Sequence, residues 1–174
     1  MIFEQIECGG DRNFAYIIGD EDSGKGALVD PAYGVDSILH KAQELGIEIE
    51  RVFNTHSHYD HTGGNETVAR RTDAVITAYS SSSIEGIDET VDDGDRIKVG
   101  KLEFEIIHTP GHTLDAICIK VEDCLCTGDT LFVGKVGGTG FGEDAREEYD
   151  SLHNKLMVLD DDVKVYPGHD YGVK

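Results

Sequence analysis

A chain of 174 residues, 39% hydrophobic and 29% charged, has the length of one domain and enough apolar side chain for a core without disulfide staples. Its net charge of −20, from 35 acidic and 15 basic residues, repels phosphate backbones and anionic membrane surfaces and argues against nucleic-acid partners. No apolar run approaches the roughly 20 residues of a membrane span.

The opening Met1-Ile2-Phe3-Glu4-Gln5 has neither a basic leader nor an apolar stretch, so a cytoplasmic location is expected. Residues 2–7, 14–19 and 26–30 read as short strands separated by polar turns. Val35, Ile38, Leu39, Ala42 and Leu45 fall at helical spacing across 35–45, and Gly46 follows as a stop. A strand at 48–54 delivers the chain into Thr55-His56-Ser57-His58-Tyr59-Asp60-His61; a helix at 64–71 and a strand at 74–78 come next. Further on, 96–99 and 102–108 make a hairpin about Gly100-Lys101, and 114–121 and 124–127 make another about Glu122-Asp123. A glycine-rich loop, 133–142, precedes a long helix at 143–159, and a last strand at 163–166 ends in Pro167-Gly168-His169. The loop fits neither the phosphate-binding nor the dinucleotide pattern and reads as a mobile, substrate-facing segment. Cys8, Cys118, Cys124 and Cys126 are too few and too irregularly spaced for a disulfide framework, and buried free thiols are expected.

The chemistry concentrates at strand ends, where open α/β folds place ligands. In an extended segment His56 and His58 project to one side, because side-chain direction repeats every second residue. Two imidazoles so placed can grip one ion, and Asp60 and His61, past the bend, can face a second. Imidazole and carboxylate suit zinc first, and also iron or manganese. A lone histidine here would read as solvent-facing; three with an aspartate point to metal. Thr109-Pro110-Gly111-His112, Thr127-Gly128-Asp129-Thr130 and Pro167-Gly168-His169-Asp170-Tyr171 each follow a predicted strand in the same way. His40 and His153 read as surface residues on helices, and His108 as a packing residue.

These four strings together resemble the metallo-β-lactamase superfamily over essentially the whole chain. The resemblance implies an α/β fold, a four-layer αβ/βα sandwich with metals at the sheet edge between its halves. It assigns His56, His58 and His112 to a first metal, Asp60, His61 and His169 to a second, and Asp129 to a bridge between them. Asp60 would also orient the nucleophile, and Asp30 would support the metal loop from beneath. Asp129 stands where many true β-lactamases carry a cysteine ligand, and His58 where flavodiiron oxidoreductases carry a glutamate. The Asp129-Thr130-Leu131-Phe132 and Gly168-His169-Asp170-Tyr171 strings look most like the glyoxalase II (hydroxyacylglutathione hydrolase) branch and its relatives the persulfide dioxygenases.

The activity implied is metal-dependent hydrolysis of a thioester or similar small activated acyl compound by hydroxide on two divalent ions. The alternatives are a mononuclear-iron persulfide dioxygenase using His56, His112 and Asp129, a lactonase-type hydrolase, and a non-catalytic binding module. Residues 1–174 read as one domain that lacks the C-terminal helical domain of glyoxalase II. Gly138 falls where that branch carries a base for the glutathione carboxylate, which leaves Lys135 and Tyr171 as the candidate substrate contacts.

Overall fold

The computed structural model describes residues 1–140 and 142–172. Strands β1 (Ile2–Gly9), β2 (Asn13–Asp20) and β3 (Lys25–Val29) pair antiparallel as successive hairpins. Helix α1 (Val35–Glu44) then carries the chain back, so that β4 (Glu48–Phe53) lies parallel to β3. After a single turn, α2 (Tyr59–Thr62), helix α3 (Asn65–Thr72) does the same for β5 (Val75–Tyr79), and β6 (Glu89–Val91) closes a six-stranded sheet in the order β1 to β6.

Strands β7 (Arg96–Val99), β8 (Leu102–His108), β9 (Ile117–Val121) and β10 (Cys124–Gly128) run antiparallel. A small hairpin of β11 (Leu131–Phe132) and β12 (Lys135–Val136) leads to helix α4 (Glu143–Ser151), which continues as a π-helical turn at Leu152–Leu156. Strand β13 (Lys164–Pro167) returns parallel to β10, giving a five-stranded sheet in the order β13-β10-β9-β8-β7.

The period-two alternation of each strand divides its side chains between two layers. Tyr16, Ile18, Ala27, Val29 and Phe53 of the first sheet pack with Phe104, Ile106, Ile117, Ile119, Cys124 and Cys126 of the second. Phe53 stacks on Phe104 across this seam at 5.1 Å between ring centres. The intervening residues Ala15, Ile17 and Leu28 face outward under α1 and α3, against Ile38, Ala42 and Val68. On the far side Cys118 and Leu125 face Leu156 and Leu152 beyond α4. The order is helix, sheet, sheet, helix, the αβ/βα sandwich expected from the sequence. Each fully buried Ile, Leu or Phe adds roughly 1.5–3 kcal/mol to holding these layers together.

Several elements differ from the sequence reading. Strand β6 was not foreseen, because only Val91 of its three residues is buried. The strand expected at 114–121 begins at Ile117, since Thr109 N–H donates to Ala116 O at 2.8 Å and keeps 114–116 in the loop. The helix expected at 143–159 is α-helical only to Ser151. The loop at 133–142 is entered through the β11–β12 hairpin rather than being wholly irregular. All four cysteines are free, three of them buried. Among the described residues no helix is long and apolar enough to cross a membrane.

Candidate metal centre

Every string singled out in the sequence follows the C-terminal end of a strand: His56 to His61 after β4, His112 after β8, Asp129 after β10 and His169 after β13. The ends of both sheets meet there. His56 Nε2 lies 3.0 Å from His58 Nδ1, and His112 Nε2 lies 3.2 Å from the same atom. His61 Nε2 and His169 Nε2 are 3.2 Å apart, with Asp60 Oδ2 3.5 Å from His169 Nε2. Asp129 stands between the groups, its Oδ1 3.3 Å from His61 Nε2 and its Oδ2 3.6 Å from His112 Nε2. The seven candidate side chains thus converge on one site, in overlapping groups compatible with metal binding.

The outward nitrogens decide what the inward ones can be. His61 Nδ1 donates to Asp30 Oδ2 at 2.9 Å, His112 Nδ1 to Gly138 O at 2.7 Å, and His169 Nδ1 to Asp11 O at 2.9 Å. Those partners only accept, so each outward nitrogen carries the proton. Thr55 Oγ1 gives its hydrogen to Asp30 Oδ2 at 2.7 Å and therefore accepts from His56 Nδ1 at 3.1 Å. In the neutral rings, the Nε2 atoms of His56, His61, His112 and His169 all present lone pairs to the centre. Asp129 Oδ1 is buried there without a hydrogen-bond partner among the described residues. Lone pairs and carboxylates gathered this closely repel one another unless cations lie among them. The separations also suit a tetrahedral site, whose edges are about 3.3 Å for metal–nitrogen bonds of about 2.0 Å. The donor set therefore fits divalent metal.

The local field points the same way. Burial works against a charge on His61, yet Asp30 and Asp129 outweigh it and hold its pKa up to about 10: the spot between the two carboxylates calls for positive charge. Burial alone would raise the pKa of Asp129, but the close approach of His169 and His61 keeps it well below the usual carboxylate range. His56 is pushed down, first by burial and then by the neighbouring imidazole of His61, so it stays neutral and ready to donate a lone pair.

Supporting contacts fix these rings. Asp30, at φ 51, also accepts Thr55 N–H at 2.8 Å, tying the end of β3 to the loop after β4. Asn13 Nδ2 donates to Asp60 O at 2.9 Å and to Asp60 Oδ2 at 3.1 Å, and lies 3.4 Å from His169 Nε2. Gly168 is required by space: a Cβ there would come within 2.5 Å of Asp129 Oδ1 and 2.7 Å of His61 Cε1. Lys135 and Tyr171 lie at the rim, where Tyr171 stacks on His169 at 4.6 Å and Lys135 Nζ sits 3.9 Å from the Tyr171 ring centre. Gly138 contributes its carbonyl rather than a side chain.

The other three histidines stand apart. His40 pairs with Glu44 on α1, His153 packs on Tyr149, and His108 stacks on Tyr79 at 4.0 Å. Sequence reasoning missed Asp11, Arg12, Asn13 and Glu148. The first three sit in a turn that read only as a link between strands. Arg12, held at φ 60, lies 5.0 Å from the Tyr171 ring on the rim.

The family model described as the metallo-beta-lactamase superfamily matches residues 8–169. The chain belongs to that superfamily, and it is an enzyme, a metallo-hydrolase. Within the superfamily it is similar to glyoxalase II: it is 41% identical to a hydroxyacylglutathione hydrolase of Polaromonas sp. (strain JS666), over 98% of this chain and 67% of the relative. It is also 32% identical to the human mitochondrial persulfide dioxygenase ETHE1, again over 98% of this chain and 67% of the relative. The crystal structure of ETHE1 from Myxococcus xanthus superposes with a TM-score of 0.93 at 37% identity, covering 100% of this chain and 78% of that one. The chain spans about two thirds of the length of these curated relatives.

Proposed function

We propose that residues 1–174 act as one domain that hydrolyses a thioester or a similar small activated acyl compound. His56, His58 and His112 would hold one divalent ion, Asp60, His61 and His169 a second, and Asp129 would span both. Zinc is the first choice for this nitrogen-rich set, and iron or manganese are also suited to it. The observation that carries the reading is the convergence of four imidazole lone pairs, each of those four rings oriented from behind, and a buried Asp129 oxygen unpartnered among the described residues.

When bound, such a pair of ions supplies a water acidified to a pKa of roughly 7 and positive charge for the developing oxyanion. The remaining work falls to the chain. Asp60, steadied by Asn13, presents a carboxylate that can orient the attacking water. The acceptors behind His56, His61, His112 and His169 keep their inward nitrogens aprotic and fixed in angle, so no reorganisation of these four is needed as charge develops. A thiolate leaving group, with an aqueous pKa of about 8.5, departs with little general-acid help. At the rim Arg12 and Lys135 both lie against the Tyr171 ring, and these cations favour a substrate carrying negative charge. The four free thiols fit the reducing cytoplasm.

The close match to the Myxococcus xanthus structure favours a second reading, a mononuclear-iron dioxygenase on His56, His112 and Asp129. It leaves His58, Asp60, His61 and His169 idle although His61 and His169 are buried and oriented toward the centre. Metal analysis beside turnover of thioesters, lactones and persulfides, with oxygen uptake recorded, separates the two. Two ions per chain and thioester cleavage without oxygen uptake are expected; one iron and stoichiometric oxygen consumption would overturn the hydrolase reading.

A further inference from the structure

Glu148 is a buried acid to which the chemistry above gives no part. Buried carboxylates are costly unless paired. At 3% exposure, Glu148 has one partner among the described residues: its Oε2 accepts the backbone N–H of His112 at 3.0 Å, while Oε1 is buried with none there. Two more side chains of the same helical stretch reach the same loop. Ser151 Oγ donates to Pro110 O at 2.8 Å, and Lys155 Nζ to His108 O at 2.7 Å. Positions 148, 151 and 155 share one helical face. They meet residues 112, 110 and 108 in that order, so the helix runs antiparallel along the loop. Gly111 permits the contact: at φ 144, a Cβ would lie 2.5 Å from Glu148 Cα and 2.3 Å from its Oε2.

We infer that Glu148 is a positioning residue for the first metal position. It holds the backbone of His112 while Gly138 O holds the ring, and together they aim Nε2 at the point shared with His58 and Asp129. An apolar side chain would pack in this place without the cost of a half-satisfied carboxylate. What Glu148 adds is a fixed oxygen acceptor for the His112 N–H. The inference rests on the metal reading proposed above.

The test compares the parent protein with Glu148→Met, which fills the space without an acceptor, and Glu148→Gln, which retains one. Gly111→Ala pushes the loop off the helix with Glu148 in place. Each metal-free protein is titrated with zinc against a chromophoric chelator, the cobalt(II)-loaded forms are compared by visible absorption, and thermal melting reports the fold. Two ions are expected in the parent. Glu148→Met and Gly111→Ala should each weaken one of them about ten- to a hundredfold, the usual effect of losing a group that orients a ligand, and alter the cobalt spectrum of that position alone. Glu148→Gln should restore the parent values. Unchanged binding at both positions in Glu148→Met, or in Gly111→Ala should the former not fold, overturns the inference. So does equal loss at both positions, which would mark general loosening. A parent that binds no ion overturns the metal reading as well and is recognised by that alone.

Discussion

Replacing Asp30 by Asn tests whether the metal loop is held from beneath by charge or only by shape. The Asp30 carboxylate, 2% exposed, accepts Thr55 N–H at 2.8 Å on Oδ1, and Thr55 Oγ1 at 2.7 Å and His61 Nδ1 at 2.9 Å on Oδ2. Asparagine tolerates the left-handed backbone at φ 51, whereas alanine there would add roughly 1–2 kcal/mol of strain. The amide is least costly with its oxygen toward Thr55 Oγ1 and His61, which turns its nitrogen against Thr55 N–H. One buried donor then faces another, at a cost of about 1–3 kcal/mol. For a chain of this size that lowers the melting temperature of the metal-free protein by roughly 2–12 °C. Separately, His61 loses its anionic acceptor, and affinity for the second ion should fall about ten- to a hundredfold. Thermal melting and chelator competition read the two effects independently. A lower melting temperature with unchanged metal affinity would show that Asp30 is structural only, and no change in either would refute the argument from its three hydrogen bonds.

His58→Ala and Asp129→Ala should lose metal and turnover together while His40→Ala and His153→Ala change neither; normal turnover in Asp129→Ala would refute its bridging role. Because His58 is exposed whereas His61 and His169 are buried, a chelator should strip the first position before the second, and simultaneous loss of both ions in a timed titration would contradict this. On the proposal that Gly138 stands where glyoxalase II carries a base for the glutathione carboxylate, a charged hydrogen bond worth about 1.5–3 kcal/mol, or roughly ten- to over a hundredfold in binding, would be missing. S-lactoylglutathione should therefore saturate weakly and simpler thioesters be cleaved comparably; a much higher kcat/KM for the glutathione thioester, falling in Arg12→Ala, would show that the rim cations supply the grip. Burial would raise the pKa of Asp93, but Lys155 and His108 N–H outweigh it and hold it lowered, so its contribution to stability is present above about pH 4 and is lost as pH falls through the lower folded value. Asp93→Asn should flatten that part of the acid-melting curve, and an unchanged slope would count against the pair.

The sheets were legible because strands such as β2 and β9 alternate between two buried layers, and the hairpin at Gly100-Lys101 carries its own turn signal. The candidate ligands were legible because each sits in a short string whose chemistry is plain before any fold is known. What supports them was not. Glu148 meets His112, and Asn13 meets Asp60, through contacts 36 and 47 residues apart in sequence. Nothing near either residue marks it out from an ordinary helix surface or turn. Strand β6 exists through pairing with β5, and the widening at Leu152–Leu156 has no proline or glycine to announce it.

The origin of the ligands across the seam has a consequence for how geometry is kept. His56, His58, Asp60 and His61 follow a strand of the first sheet; His112, Asp129 and His169 follow strands of the second. Neither half holds a complete set for either proposed ion, so the centre exists only while the sheets are docked. The docking is specific at the site itself. Tyr16 of β2 donates its hydroxyl to Pro167 O of β13, Phe14 N–H donates to Gly168 O at 2.8 Å, and Asp170 N–H to Arg12 O at 2.9 Å. These bonds bracket His169 and fix its height against His61. Binding that requires both halves in register stabilises the docked state by linkage. Metal affinity and the packing of Phe53 on Phe104 are then coupled, although no ligand lies in that core.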